Sequence, residues 1–302
     1  MVASRGIVSV IDPASNTVRA TISVNVSGTG IAITPDRHFA YASSLDNGRS
    51  TVSVIDLSSN QVTATVSNIP TSGAIAISQD GSRAYVVSSG HLAANMVSVV
   101  DTKTNQVIAT VSNRDRAVGP SGITIPSNSP FAYIGDREAG HMQVIDTRTN
   151  TVTAAIEQPS TLYLAASPDG QFVYTSESFG NSVAVISTAS NTVVGSIPVM
   201  GPAGLAVSSD GSLLFVAQPD TGTVAVVSVH DKSTVATVQV GSRCTPGTSC
   251  PTEVALSPDG NTVYVTNSLS ASVSAIRVSD HTVVATIPVA SFPEAIASGR
   301  SH

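Results

Sequence analysis

Short alternating apolar runs recur along the chain at a fixed spacing. The run Val-x-Val-[Ile/Val]-[Asp/Ser] stands at Val8 to Asp12, Val52 to Asp56, Val97 to Asp101, Met142 to Asp146, Val183 to Ser187 and Val224 to Ser228, with a diverged copy at Val273 to Arg277. Successive copies end 44, 45, 45, 41, 41 and 49 residues apart. Alternation predicts strands, and a period of forty-odd residues predicts one propeller blade per copy. Within one period, residues 203–240, the pattern divides into four strands. These are strand A (Ala203 to Val207), B (Leu213 to Ala217), C (Thr223 to Ser228) and D (Thr234 to Val240).

The punctuation between strands is as regular. The A–B turn reads Ser78-Gln79-Asp80-Gly81, Ser167-Pro168-Asp169-Gly170, Ser208-Ser209-Asp210-Gly211 and Ser257-Pro258-Asp259-Gly260, with Gly free to take positive φ. The C–D turn runs from Asp to Asn at Asp12 to Asn16, Asp56 to Asn60, Asp101 to Asn105 and Asp146 to Asn150. Only strand A remains at the C-terminal end (Glu294 to Ala297), while the N-terminal end begins with a short B (Val2 to Ser4) and then C and D. The two ends complete one blade. The expected fold is all-β: one domain over residues 1–302, a seven-bladed β-propeller of four-stranded antiparallel blades closed by its terminal strands. Closure removes the sheet edges an open array would expose.

These residues resemble the YVTN family of β-propeller repeats. Its name motif stands at Tyr264-Val265-Thr266-Asn267, with near matches at Tyr85-Val86-Val87-Ser88, Tyr174-Thr175-Ser176 and Phe215-Val216-Ala217. The Ser-Pro-Asp-Gly turn and the Val-x-Val-Ile-Asp strand fit it too. The absence of Trp speaks against WD repeats. The resemblance implies seven blades in a prokaryotic protein, often exported or at the surface. It implies no single activity, because its members include binding modules and some lyases.

Composition narrows the partners. Charged residues are 11 % and the net charge is −6, with no basic cluster, so nucleic acid is not expected. No apolar run approaches the about 20 residues that a membrane helix needs. A monomer is the expected state. No leader is visible, which fits a trimmed export or a cytosolic protein. Cys244 and Cys250 are the only cysteines. They read either as a disulfide pinning one loop, worth roughly 2 kcal/mol, or as two thiols; the former points to an extracytoplasmic location.

Turns A–B and C–D share one uniform end of the barrel. Loops B–C and D–A share the other, and they vary. Function is expected on the varied end and at the central channel there. Both lysines, Lys103 and Lys232, lie in C–D turns, which leaves no lysine for a Schiff base on that end. Of the six histidines, only His91 and His141 belong to the varied end. With Asp136 and Glu138 they form either an acid/base or metal patch or a solvated rim. Arg114, Arg116, Arg137, Glu177, Phe179 and Phe292 are further candidates for ligand contact on these loops.

A sharper departure lies at the start of strand A. The aligned residues are Gly30, Ala74, Gly122, Tyr163, Gly204, Glu253 and Glu294. Small residues are the rule there, and Tyr163, Glu253 and Glu294 break it. Glu253 and Glu294 stand on neighbouring blades, so they are expected at one mouth, facing Tyr163. Such a pair can hold a divalent cation or divide into acid and base; the plain alternative is a solvated rim. The expected function is binding of a small molecule, peptide or protein at this mouth. The alternative is a metal- or carboxylate/His-assisted lyase, isomerase or cyclase using Glu253, Glu294, His91, His141 and Tyr163.

Overall fold

In a computed structural model of the chain, seven four-stranded antiparallel sheets form a ring. Residues 25–29, 47–48, 71–72, 89–95, 113–119, 137–139, 159–160, 178–179, 242–250 and 300–302 lie outside the described residues, as do the side chains of 44–46, 49, 96 and 120. Blades 1 to 6 follow chain order. Blade 1, for example, pairs Ile31–Ile33, Phe39–Asp46, Arg49–Asp56 and Gln61–Ile69. Blade 7 takes its inner strand, Ala295–Ile296, from the C-terminal end and Val2–Ser4, Ile7–Asp12 and Thr17–Ser23 from the N-terminal end. There Val2 faces Ile296 and Ala3 faces Ala295 in antiparallel register.

The ring closes because each blade has two apolar faces and each face needs a neighbour. Among the described residues, one buried cluster fills each of the seven gaps between blades. The gap between blades 6 and 7 holds Tyr264, Val273, Ala275 and Ile287 against Val2. The next gap packs Ala3, Val8 and Ala295 against Ile31 and Ala40. Strand C lies between two such gaps, so Val52 and Val54 are buried toward blade 2 and Ile55 toward blade 7. This explains why the signature is nearly continuous in apolar residues rather than alternating with charge.

Strand D forms the rim. In every blade its pairing with strand C slips by one residue at the same place, as between Val10 and Ile11 or between Ala275 and Ile276. Such a bulge twists the outer strand away from a flat edge. The residue skipped at the bulge points outward, and Ile108, Val194, Val235 and Val284 are exposed for that reason.

The inner strands are shorter than the sequence pattern predicts. Leu205–Val207 and Ala295–Ile296 form the ladders, rather than Ala203 to Val207 and Glu294 to Ala297. One cause is visible at Gly204: its amide donates to Thr252 O of the next blade, 2.9 Å, and so leaves its own sheet.

Candidate functional site

Strand A begins at the varied end of the ring. Gly30, Ala74, Gly122, Tyr163, Gly204, Glu253 and Glu294 all line one central cavity of about 620 Å³. The glycines follow from crowding. A Cβ on Gly122 would stand 2.6 Å from Leu162 O of the following blade, and one on Gly204 would stand 2.6 Å from Glu253 Cα. Gly30 abuts Gly73 O in the same way. Real Cβ atoms do not come so close, so a larger residue there would push neighbouring inner strands apart. Tyr163, Glu253 and Glu294 are therefore the positions where the ring admits a long side chain into the mouth.

Glu253 is held from both sides. Its amide donates to Thr266 Oγ1 and its carbonyl accepts the Thr266 amide, each at 3.0 Å, within blade 6. Its side chain reaches blade 7, where Oε2 accepts the Ile296 amide at 3.0 Å. Although the residue keeps some accessible surface, protein atoms surround the carboxyl. Burial pushes its pKa up to about 7, against the opposing pull of the Ile296 amide.

Glu294 is anchored by its amide on Ala3 O, 3.0 Å. Burial raises its carboxyl pKa too, while the charge of Arg5 pulls it down. Arg5 nevertheless makes no ion pair among the described residues. Its guanidinium lies 4.2 Å above the centre of the Phe292 ring. Phe292 has φ of 56° and is 38 % exposed, an uncommon backbone for a bulky residue.

A hydroxyl chain fixes the two glutamates relative to one another. Thr252 Oγ1 lies 2.8 Å from Thr266 Oγ1 and 3.2 Å from Ser268 Oγ. Ser268 Oγ donates to Pro293 O at 2.8 Å, one residue before Glu294. Tyr163 stands on blade 4 at a break in register between Thr161 and Leu164, with its amide donating to Ser176 Oγ at 3.2 Å. It packs partly against the apolar clusters flanking blade 5.

Other sequence candidates go elsewhere. Asp136 and His141 do not line the cavity: they sit at the end of strand B and the start of strand C of blade 3, outside the inner layer. The sequence places His141 on the same varied end as the glutamates, and the cavity wall does not include it. Asp136 is buried, and its amide donates to Thr161 Oγ1 at 2.7 Å. Glu177 is also absent from the cavity wall. Its carboxylate accepts Gln158 Nε2 at 2.7 Å and the Ser182 hydroxyl, which ties a loop together. His91, Arg114, Arg116, Arg137, Glu138, Phe179 and the Cys244–Cys250 pair lie outside the described residues.

Among the described residues no group of three or more His, Cys, Asp and Glu side chains could hold a metal ion. No helix among them is long and apolar enough to cross a membrane. Sequence reasoning missed Arg5. It belongs to the B–C turn of the composite blade, at Arg5-Gly6 between Val2–Ser4 and Ile7–Asp12, so the rule favouring varied loops applied to it equally.

Residues 136–242 match the family described as Lactonase, 7-bladed beta-propeller. No curated protein sequence matches the chain. Solved structures of other proteins share its fold. Hydrazine synthase of Kuenenia stuttgartiensis is 20 % identical, with a TM-score of 0.76 over 89 % of this chain and 88 % of that one. A functionally unknown protein of Desulfotomaculum acetoxidans is 18 % identical, with a TM-score of 0.81 over 97 % and 96 % of the two chains.

Proposed function

We propose that the protein is a binding propeller of the YVTN type whose central mouth takes a small polar molecule. One observation carries this reading. Seven equivalent strand starts line a single cavity of about 620 Å³, and three of them present the long polar side chains of Tyr163, Glu253 and Glu294. A cavity of this size suits a small ligand, and a few convergent polar groups on a rigid wall supply orientation. Calorimetry against a library of small polar compounds and divalent cations tests it. A hit should weaken at least tenfold in Glu253→Gln or Glu294→Gln and persist in a rim variant such as Val194→Thr. Hits indifferent to both glutamates would move the site elsewhere.

Catalysis at the same mouth is the second reading. Its support is the Glu253 carboxyl, whose pKa near 7 suits proton transfer at neutral pH, together with the family match over residues 136–242. For a lactone, ionised Glu253 would take a proton from water as the water oxygen attacks the ester carbonyl. The ring C–O bond would then break, and protonated Glu253 would return its proton to the released alkoxide. Glu253→Gln should abolish hydrolysis of a lactone panel while the protein stays folded. Full turnover in that variant would leave binding as the better reading.

A further inference from the structure

The chemistry of the mouth goes further than polarity. Among the described residues its wall carries four titratable side chains: Arg5, Tyr163, Glu253 and Glu294. Two are carboxyls whose charged forms are disfavoured by burial, and neither is within ion-pair distance of a basic group of the described residues. Of these two carboxyl groups, only that of Glu253 accepts a described hydrogen bond, from the Ile296 amide. Uncharged or anionic ligands would leave this deficit in place or deepen it. A positive group between the carboxylates would relieve it, because an opposite charge at short range favours the ionised form.

The mouth already holds one organic cation, supplied by the chain itself. The guanidinium of Arg5 lies on the face of Phe292, 4.2 Å from its centre, and feels Glu294 without reaching it. An aromatic face beside a carboxylate is a setting in which ammonium and guanidinium groups bind. Leu269, 48 % exposed, and Phe292 form an apolar rim on the same cavity, suited to an alkyl chain.

From these contacts we infer that the ligand of the channel mouth is a small organic cation, an alkylamine or alkylguanidine, whose charged head sits between Glu253 and Glu294 with its chain against Phe292 and Leu269. This rests on the mouth being a binding site. Arg5 then acts as an internal competitor, stacked on the ring face that the ligand also uses. Binding draws the two carboxyls toward their ionised forms, so it releases protons near neutral pH and weakens in acid.

Titration calorimetry on the full chain tests this with agmatine, putrescine and choline as cations, 1,4-butanediol as a neutral probe and succinate as an anion. At least one cation should bind at pH 8, lose tenfold or more in affinity at pH 5, and lose a similar factor in Glu253→Gln and in Glu294→Gln. Arg5→Ala should bind it as tightly or more tightly. Heats at pH 6.5 in two buffers of different ionisation enthalpy should differ in the sense of proton release. Butanediol or succinate binding as tightly as the cations, with dependence on the glutamates, would overturn the cation inference and leave the mouth as a binding site. Silence from every probe class here and in the wider library would overturn both.

Discussion

The Tyr264 hydroxyl donates to Oδ1 of Asn16 at 2.9 Å, across 248 positions of sequence, and so joins blade 6 to blade 7 at the seam of the ring. The same bond recurs between neighbouring blades, from Tyr41 to Asn105, 2.7 Å, from Tyr85 to Asn150, 3.2 Å, and from Tyr133 to Asn191, 2.6 Å. Each Asn stands in a C–D turn with positive φ, where Asn is tolerated better than most residues. One residue thus shapes a turn and receives a neighbour's hydroxyl. Where the turn offers Lys232 or His281 at that place, also at positive φ, no Asn is present to accept.

Removing the hydroxyl at the seam should therefore loosen the closure. Tyr264→Phe deletes one hydrogen bond and leaves Asn16 near solvent, so about 1 kcal/mol of stability should be lost. Asn16→Ala removes the acceptor and also places a β-carbon residue less suited to positive φ, and should cost roughly 1 kcal/mol more. Urea unfolding of the two single variants and the double variant checks the coupling. Additive losses would show that the bond contributes nothing to the seam.

Much of this was legible in sequence, for particular reasons. The run Val52 to Asp56 and its copies could be aligned because strand C is buried on both faces and tolerates few residue types. That alignment fixed the seven starts of strand A by counting alone, and so brought Tyr163, Glu253 and Glu294 to one opening. What stayed hidden depends on contacts between distant segments. Arg5 lies at one end of the chain and Phe292 near the other, and no local pattern predicts that they stack. His141 shares the varied end with Glu253 but starts strand C, and only the layer order of the blade keeps it from the channel wall.

Gly204 tests the crowding that defines the mouth. Its backbone amide donates to Thr252 O, and a Cβ there would stand 2.6 Å from Glu253 Cα. Its φ is not positive, so space rather than backbone freedom requires glycine. Gly204→Ala must push blade 6 outward and should cost about 1–3 kcal/mol, the range for overpacking. Ala74→Gly, at the equivalent position of blade 2, removes only a methyl group and should cost about 1 kcal/mol or less. Thermal unfolding ranks the two. Equal midpoints would mean that the inner strands have slack, and the small residues would then need another explanation.

Glu253 links the mouth to stability through pH. Its carboxyl has a pKa of about 7 in the folded protein, against 4.5 for the ordinary group, so the folded state holds the proton more tightly than the unfolded state. The resulting stabilisation is complete below about pH 4.5 and is lost as pH rises through about 7. The turn aspartates act in the opposite sense and at lower pH. Asp56, for instance, is pulled down to about 2 chiefly by the Ser58 hydroxyl, and its contribution is lost only as pH falls through that value. Between pH 5 and 8 the glutamate contributes a loss of roughly 2–3 kcal/mol at about 1.4 kcal/mol for each pKa unit, against the opposite slope of the buried Met1 amino group, whose pKa burial lowers from 8.0 to about 5. Glu253→Gln keeps an acceptor for the Ile296 amide and cannot ionise. The Met1 amino group is common to both chains, so urea unfolding should show the wild-type chain losing roughly 2–3 kcal/mol relative to the variant from pH 5 to pH 8, with the variant matching or exceeding wild type at pH 8. If the two chains kept parallel profiles across that interval, Glu253 would be ionised in the mouth already at pH 5, with its carboxylate solvated rather than buried.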